Sequence, residues 1–197
     1  MIKIFQRPIT EPIRKISIIA RGMAAGYTLK MPVEEKRIIT KTEFLAEIAT
    51  LLGGYCAEKL KFNEITTGAA NDLGKASELA RKLVKEYGMS ALGPVSFGEK
   101  EELVFLGREI SEQRNYSEEI AAKIDKEVSK FIEDAEKEAG RILQKEKRTL
   151  DRIAKTLIEK ETIEKEEFEK LIHPGKAEKP KSPSKVKKSV RVKIKRV

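Results

Sequence analysis

Histidine and cysteine are almost missing from this 197-residue chain, which has one of each, His173 and Cys56, and no tryptophan. A single cysteine excludes an intramolecular disulfide framework. One histidine and one cysteine are too few for a zinc site of the usual nitrogen and sulfur type. A Ser-His-Asp or Cys-His arrangement would have to use His173, and no nucleophile motif lies near it. Long apolar runs are missing too. No stretch of 18 apolar residues occurs, so nothing in the sequence reads as a membrane span. The first residues, MIKIFQRPITEP, lack the apolar core of a signal peptide, and a cytoplasmic protein is expected.

The formal net charge is +9, but the excess is local. Residues 174–197 hold ten bases and one acid, Glu178. Removing these from the chain's 41 bases and 32 acids leaves 31 of each in residues 1–173. The body is therefore neutral, and a nucleic-acid-binding fold is excluded for it. The tail is basic, holds three of the chain's seven prolines and ends in VRVKIKRV. It reads as a disordered extension that is able to contact anionic surfaces.

The sequence predicts two domains of organisation, a body over 1–173 and the tail over 174–197. Residues 14–19, RKISII, are β-branched and end at Arg21-Gly22, which predicts a strand. Gly26-Tyr27-Thr28-Leu29, closed by Pro32, predicts a second strand and a hairpin. Thr40 and Glu43 have capping-box spacing. Phe44, Leu45, Ile48, Leu51, Leu52 and Leu60 follow helical spacing after it. Gly53-Gly54 inside that helix costs about 1 kcal/mol per glycine relative to alanine and points to close approach of another element. A helix from near Asn71 carries Leu73, Ala76, Leu79, Ala80, Leu83, Val84 and Tyr87, with Gly88 as its stop. Asn115 and Glu118 are the expected cap of a long helix with a stripe from Ile120 to Ile142. Helices with Leu150, Ile153, Leu157 and Ile158, and then Phe168, Leu171 and Ile172, complete the body. The predicted fold class is mainly α, with a small β element near the N-terminus. Cys56 lies in an apolar helical stretch and reads as a buried filler. His173 sits at a helix C-terminus, where the dipole favours it.

The segment TTGAANDLGKA at 66–76 has the look of a phosphate loop. Five residues separate Gly68 from Gly74, however, and Ala76 follows Lys75, whereas a P-loop needs four and then Ser or Thr. No ATP site is expected. A plainer reading makes Asn71 a helix cap, with Asp72 in the positive first turn.

Five segments carry a resemblance. They are RKISIIARGMAAGYT at 14–28, LLGGYCAEKL at 51–60, TTGAANDLGKASELARKLV at 66–84, YGMSALGPVSF at 87–97 and VFLGREIS at 104–111. In that order and spacing they resemble the peptidase domain of the FtsH family of membrane-tethered, ATP-dependent zinc metalloproteases. The resemblance implies a helical metalloprotease-like domain that acts on unfolded or membrane polypeptides. It also implies hexameric rings and an AAA ATPase module preceding the peptidase domain. In that family two histidines of an HExxH helix and a downstream aspartate bind zinc, and the glutamate acts as general base. The matching aspartate here is Asp72. The strand holding Lys15, Ile16, Ser17, Ile18 and Ile19 matches an edge where an extended substrate adds by main-chain pairing.

HExxH itself does not occur in these 197 residues. Counting back along the family pattern places it just before Met1, with residues 1–7 as the rest of that helix. Asp72 is then one ligand of three, zinc is not expected to bind this chain alone, and no peptide hydrolysis is expected. Exposed apolar surface is expected around Leu51 and Leu83, with self-association. Two other functions are open at this point. One is a non-catalytic assembly or interaction protein, and the other is a nucleic-acid-associated helical module working through the tail. The latter requires binding that falls steeply with salt and disappears when residues 174–197 are deleted. A filter-binding series from 50 to 300 mM salt is expected to show no such binding.

Overall fold

A computed structural model describes residues 12–20, 26–30, 38–98 and 115–173. The segment at 104–111, the N-terminal stretch before Pro12 and the basic tail lie outside the described residues. The fold is mainly α. Strands β1 (Ile13–Ser17) and β2 (Tyr27–Lys30) come first, followed by helices α1 (Lys41–Leu51), α2 (Gly53–Phe62) and α3 (Ala70–Lys85). The long α4 (Glu118–Lys145), α5 (Lys147–Lys160), β3 (Thr162–Glu164) and α6 (Lys165–Ile172) complete the order.

The capping box forms as its spacing predicts. Thr40 Oγ1 accepts from the Glu43 N–H at 3.3 Å, and Glu43 Oε2 accepts from the Thr40 N–H at 2.8 Å. The single helix expected to run past Leu60 is instead two, α1 and α2, meeting at the buried Leu52. Two glycines in succession weaken helix propagation, so the axis resets there. Close approach at the pair does not hold for Gly54, where an added Cβ would meet nothing within 4 Å. Gly53 is buried.

Serine, not asparagine, starts α4. Ser117 Oγ accepts from the Ile120 N–H, while Asn115 Oδ1 accepts from the Gly98 N–H at 2.8 Å. Asn115 thus ties the loop after α3 to the approach to α4. Gly88 ends the α3 region as predicted. Its φ is +58°, and a Cβ there would stand 3.0 Å from Pro94 Cα.

At 28 residues, α4 is about 42 Å long. It buries Ile124, Val128, Phe131, Ala135, Ala139, Ile142 and Leu143. Helices α1, α2 and α3 pack on it. Their contributions to the same core include Ile48, Leu52, Cys56, Ala76, Ala80, Leu83 and Val84. Leu83 is fully buried, which corrects the expectation of an exposed face there, and Leu51 is half-buried. Alanines at the α3 and α4 contacts allow the helix axes to come close.

A second, smaller core joins the sheet to the last helices through Ile13, Ile163 and Phe168. The sheet has three strands in the order β2-β1-β3, antiparallel throughout. The third strand was hidden in a segment that reads as a helix start. It is set by a turn at Glu161, whose φ is +59°. Ser17, the one buried polar residue among those described, secures that turn. Its hydroxyl donates to the Glu161 carbonyl at 3.3 Å and accepts from Thr162 Oγ1 at 3.1 Å.

Leu83→Ala is expected to lower unfolding stability by about 3 kcal/mol, because it opens a cavity in the main core. Ile158, 76% exposed, is expected to lose less than about 0.5 kcal/mol on truncation to alanine. Urea denaturation midpoints of the two variants measure both.

Candidate functional site

Helix α2 ends at Asn63, whose left-handed φ of 52° turns the chain out of the helix. Thr66 is extended, and its Oγ1 accepts from the Gly68 N–H at 3.1 Å. This caps a 3-10 turn over Thr67–Ala69 that runs straight into α3. Asp72 is the third residue of α3. The position at the start of α3 is Ala69, which makes no side-chain cap. Asn71 is therefore not the cap predicted from its residue type. It lies inside the first turn and is exposed, and Thr66 does the capping one turn earlier.

Glu58, on α2, reaches this turn. Its Oε2 accepts from the Thr66 N–H at 2.8 Å, and its Oε1 accepts from Thr66 Oγ1 at 3.1 Å. The contact spans eight residues across a loop, and no local pattern in the sequence signals it. Asp72 is half-buried, and among the described residues its carboxylate has neither a hydrogen-bond partner nor an ion pair. Asp72 lies in the first turn of α3, where the helix dipole favours a negative charge.

The remaining ligand types do not converge on it. His173 follows α6, its N–H donating to the Glu169 carbonyl. Cys56 is buried in the main core, with Sγ 3.7 Å from the Glu136 carbonyl oxygen. Burial pushes the Cys56 thiol up from its ordinary range, and Glu136 adds to the shift. Among the described residues no three His, Cys, Asp or Glu side chains come together as a metal site. The donors present fit one ligand position, not a zinc centre.

The edge-strand reading of residues 15–19 requires correction. β1 is the central strand. Lys15, Ile16 and Ser17 pair with Leu29, Thr28 and Tyr27 on one side and with Glu164, Ile163 and Thr162 on the other. Ile18 and Ile19 lie beyond the strand, and the Ile18 N–H donates to the Glu161 carbonyl at 2.9 Å. Main-chain pairing along Lys15–Ser17 is already complete, so no extended peptide adds there. The cause is the unforeseen β3, which occupies the side that the sequence left open.

A family model described as Peptidase family M41 matches residues 4–171. The chain is 51% identical over 167 residues to ATP-dependent zinc metalloprotease FtsH 1 of Thermoanaerobacter sp. (strain X514), covering 84% of this chain and 27% of that protein. It is 52% identical over 165 residues to FtsH 1 of Sphaerobacter thermophilus, covering 83% and 25%. With ATP-dependent zinc metalloprotease FtsH of Thermotoga maritima, identity is 47% over 167 residues, covering 84% and 27%. The chain belongs to peptidase family M41 and carries its FtsH-type peptidase domain. It spans about a quarter of the length of the curated relatives it matches.

The buried thiol yields a kinetic expectation. A raised pKa keeps Cys56 protonated at pH 8, so its alkylation by iodoacetamide is slower than that of a free thiol by tenfold or more. Because the folded-state pKa lies above the unfolded one, the stabilisation from burying the neutral thiol is full below the unfolded pKa. It is lost as pH rises through the folded value. Alkylation rates in buffer and in 8 M urea measure the protection directly.

Proposed function

We propose that this polypeptide is the peptidase part of an ATP-dependent zinc metalloprotease, and that residues 1–197 alone do not hydrolyse peptides. The single observation carrying the proposal is the contrast between the family match and the donor set. The match runs over residues 4–171, yet HExxH does not occur in the sequence. Asp72 is the residue that stands where the family's third zinc ligand is expected. A half-buried, unpaired carboxylate at the start of a helix suits that role. When bound, zinc would polarise a carbonyl and activate a water. In this chain Asp72 offers that ion one oxygen ligand, and no residue stands in the place of the general base.

Substrates of the assembled protein are proposed to be unfolded polypeptides, and its ATPase module to lie in a part of the protein other than these residues. The words ATP-dependent in the relatives' names support the second point. A non-catalytic assembly role is the second reading. It is favoured by large apolar side chains that stand free at the surface, Phe62 at 76% and Ile38 at 84% exposure.

The test is proteolysis of an unfolded fluorescent casein by the purified chain, with zinc supplied. No cleavage above background is expected. Cleavage that a chelator abolishes, and that Asp72→Asn removes, contradicts the proposal of inactivity.

A further inference from the structure

Two apolar clusters hold the described residues together, and no side chain belongs to both. The larger joins α1, α2, α3 and α4, and its last buried member is Leu143. The smaller joins the sheet to α5 and α6, with Ile13, Ile163 and Phe168 buried at its centre. Helix α5 runs between them and buries none of its side chains completely. Leu150, in its first turn, packs on the larger cluster, whereas Ile153 and Leu157 pack on the smaller. Glu146 separates α4 from α5. Its φ of −103° and ψ of 22° lie outside the helical range, so the two helices are not one continuous rod.

We infer that the sheet, α5 and α6 open together as one unit, bounded at Glu146, while the core of α1 to α4 stays folded. The inference is independent of the reading of Asp72. Within the unit, parts far apart in the chain depend on one another. β1 pairs with β3, Ser17 Oγ meets Thr162 Oγ1 at 3.1 Å and the Glu161 carbonyl at 3.3 Å, and Lys15 pairs with Glu164. None of these survives alone, so the unit is lost or kept as a whole. Across the boundary the described residues offer Leu150 and the ion pair between Lys61 of α2 and Asp151 of α5. The side chains of that pair are 33% and 49% exposed, and such pairs add little. Three buried side chains close the unit, against fifteen in the larger cluster, and closure by apolar burial scales with the area removed from water. Arg152 of α5 has its Nε–H buried with no acceptor among the described residues. A donor left so destabilises the closed state, and water satisfies it once the unit opens. The sheet is thus released and re-formed without loss of the helical core.

The experiment is amide hydrogen exchange on the full chain and on Phe168→Ala, well below the melting temperature. Phe168 is buried in the smaller cluster, and its truncation leaves a cavity there. Exchange at residues 13–17, 153–160 and 163–172 is expected to speed up about tenfold or more. Exchange at residues 80–84 and 128–143, in the larger cluster, is expected to stay within about twofold. An equal rise in both sets overturns the inference, because it makes the domain a single cooperative unit. No rise in the first set overturns it as well. Should Phe168→Ala not fold, the parent chain decides through its exchange rates at increasing urea below the unfolding midpoint. The first set is expected to exchange faster than the second in water, with a shallower dependence on urea, because less surface is exposed by opening the unit than by global unfolding. One rate level and one slope shared by both sets overturn the inference.

Discussion

Ile124, Val128, Phe131, Ala135, Ala139 and Leu143 form one buried stripe along α4, and α1, α2 and α3 are laid on it. Each large side chain in such a stripe contributes about 1.5–3 kcal/mol on full burial. The cross-links between α2 or α3 and α4 are ion pairs such as Lys59–Glu136 and Arg81–Asp125. Exposed pairs of this kind are worth about 0–1 kcal/mol each. Apolar packing therefore decides where the helices sit, and charge trims the surface. This agrees with a body that has equal numbers of acids and bases.

The same packing reaches the candidate site by a short route. The buried face of α2 orients its outer face, and Glu58 stands on that outer face. Ala76, Ala80, Leu83 and Val84 hold the later turns of α3 in the core. The first turn of α3 extends past this core support, and Asp72 lies there, half-buried. Among the described residues its carboxylate has no partner. The sheet belongs to a different cluster, joined to α5 and α6 through Ile13, Ile163 and Phe168. Its central strand is satisfied on both sides, so among the described residues the free main-chain edges are the outer sides of β2 and β3.

Much of this was legible in the sequence wherever the signal was periodic or local. The stripe of α4, the apolar face of α3, the Thr40–Glu43 box, the β1–β2 hairpin and the Gly88 stop all follow from spacing or from a single residue's conformational range. The failures share a cause, in that each depended on a contact distant in the chain or on a choice among equivalent caps. Ser117 and Thr66 took the roles given to Asn115 and Asn71, since any of these side chains is a competent acceptor and tertiary placement selects one. The third strand, three residues long, has no period to detect, and its pairing with β1 turned an expected edge into a centre. Glu58 carried no signal at all. The site reading at Asp72 came from a phrase matched to a family, not from the physics of the residues around it.

We propose that the domain is held by its apolar core and supplies at most one metal ligand, Asp72. Thermal unfolding of the chain with excess Zn²⁺ and with a strong chelator tests it most directly. A ligand present at a hundred times its dissociation constant adds about 2.7 kcal/mol to folding stability. Superimposable transitions at micromolar zinc are predicted. A melting temperature that rises by several degrees with zinc and falls back with the chelator would contradict the account, because it would require a complete metal centre within these residues.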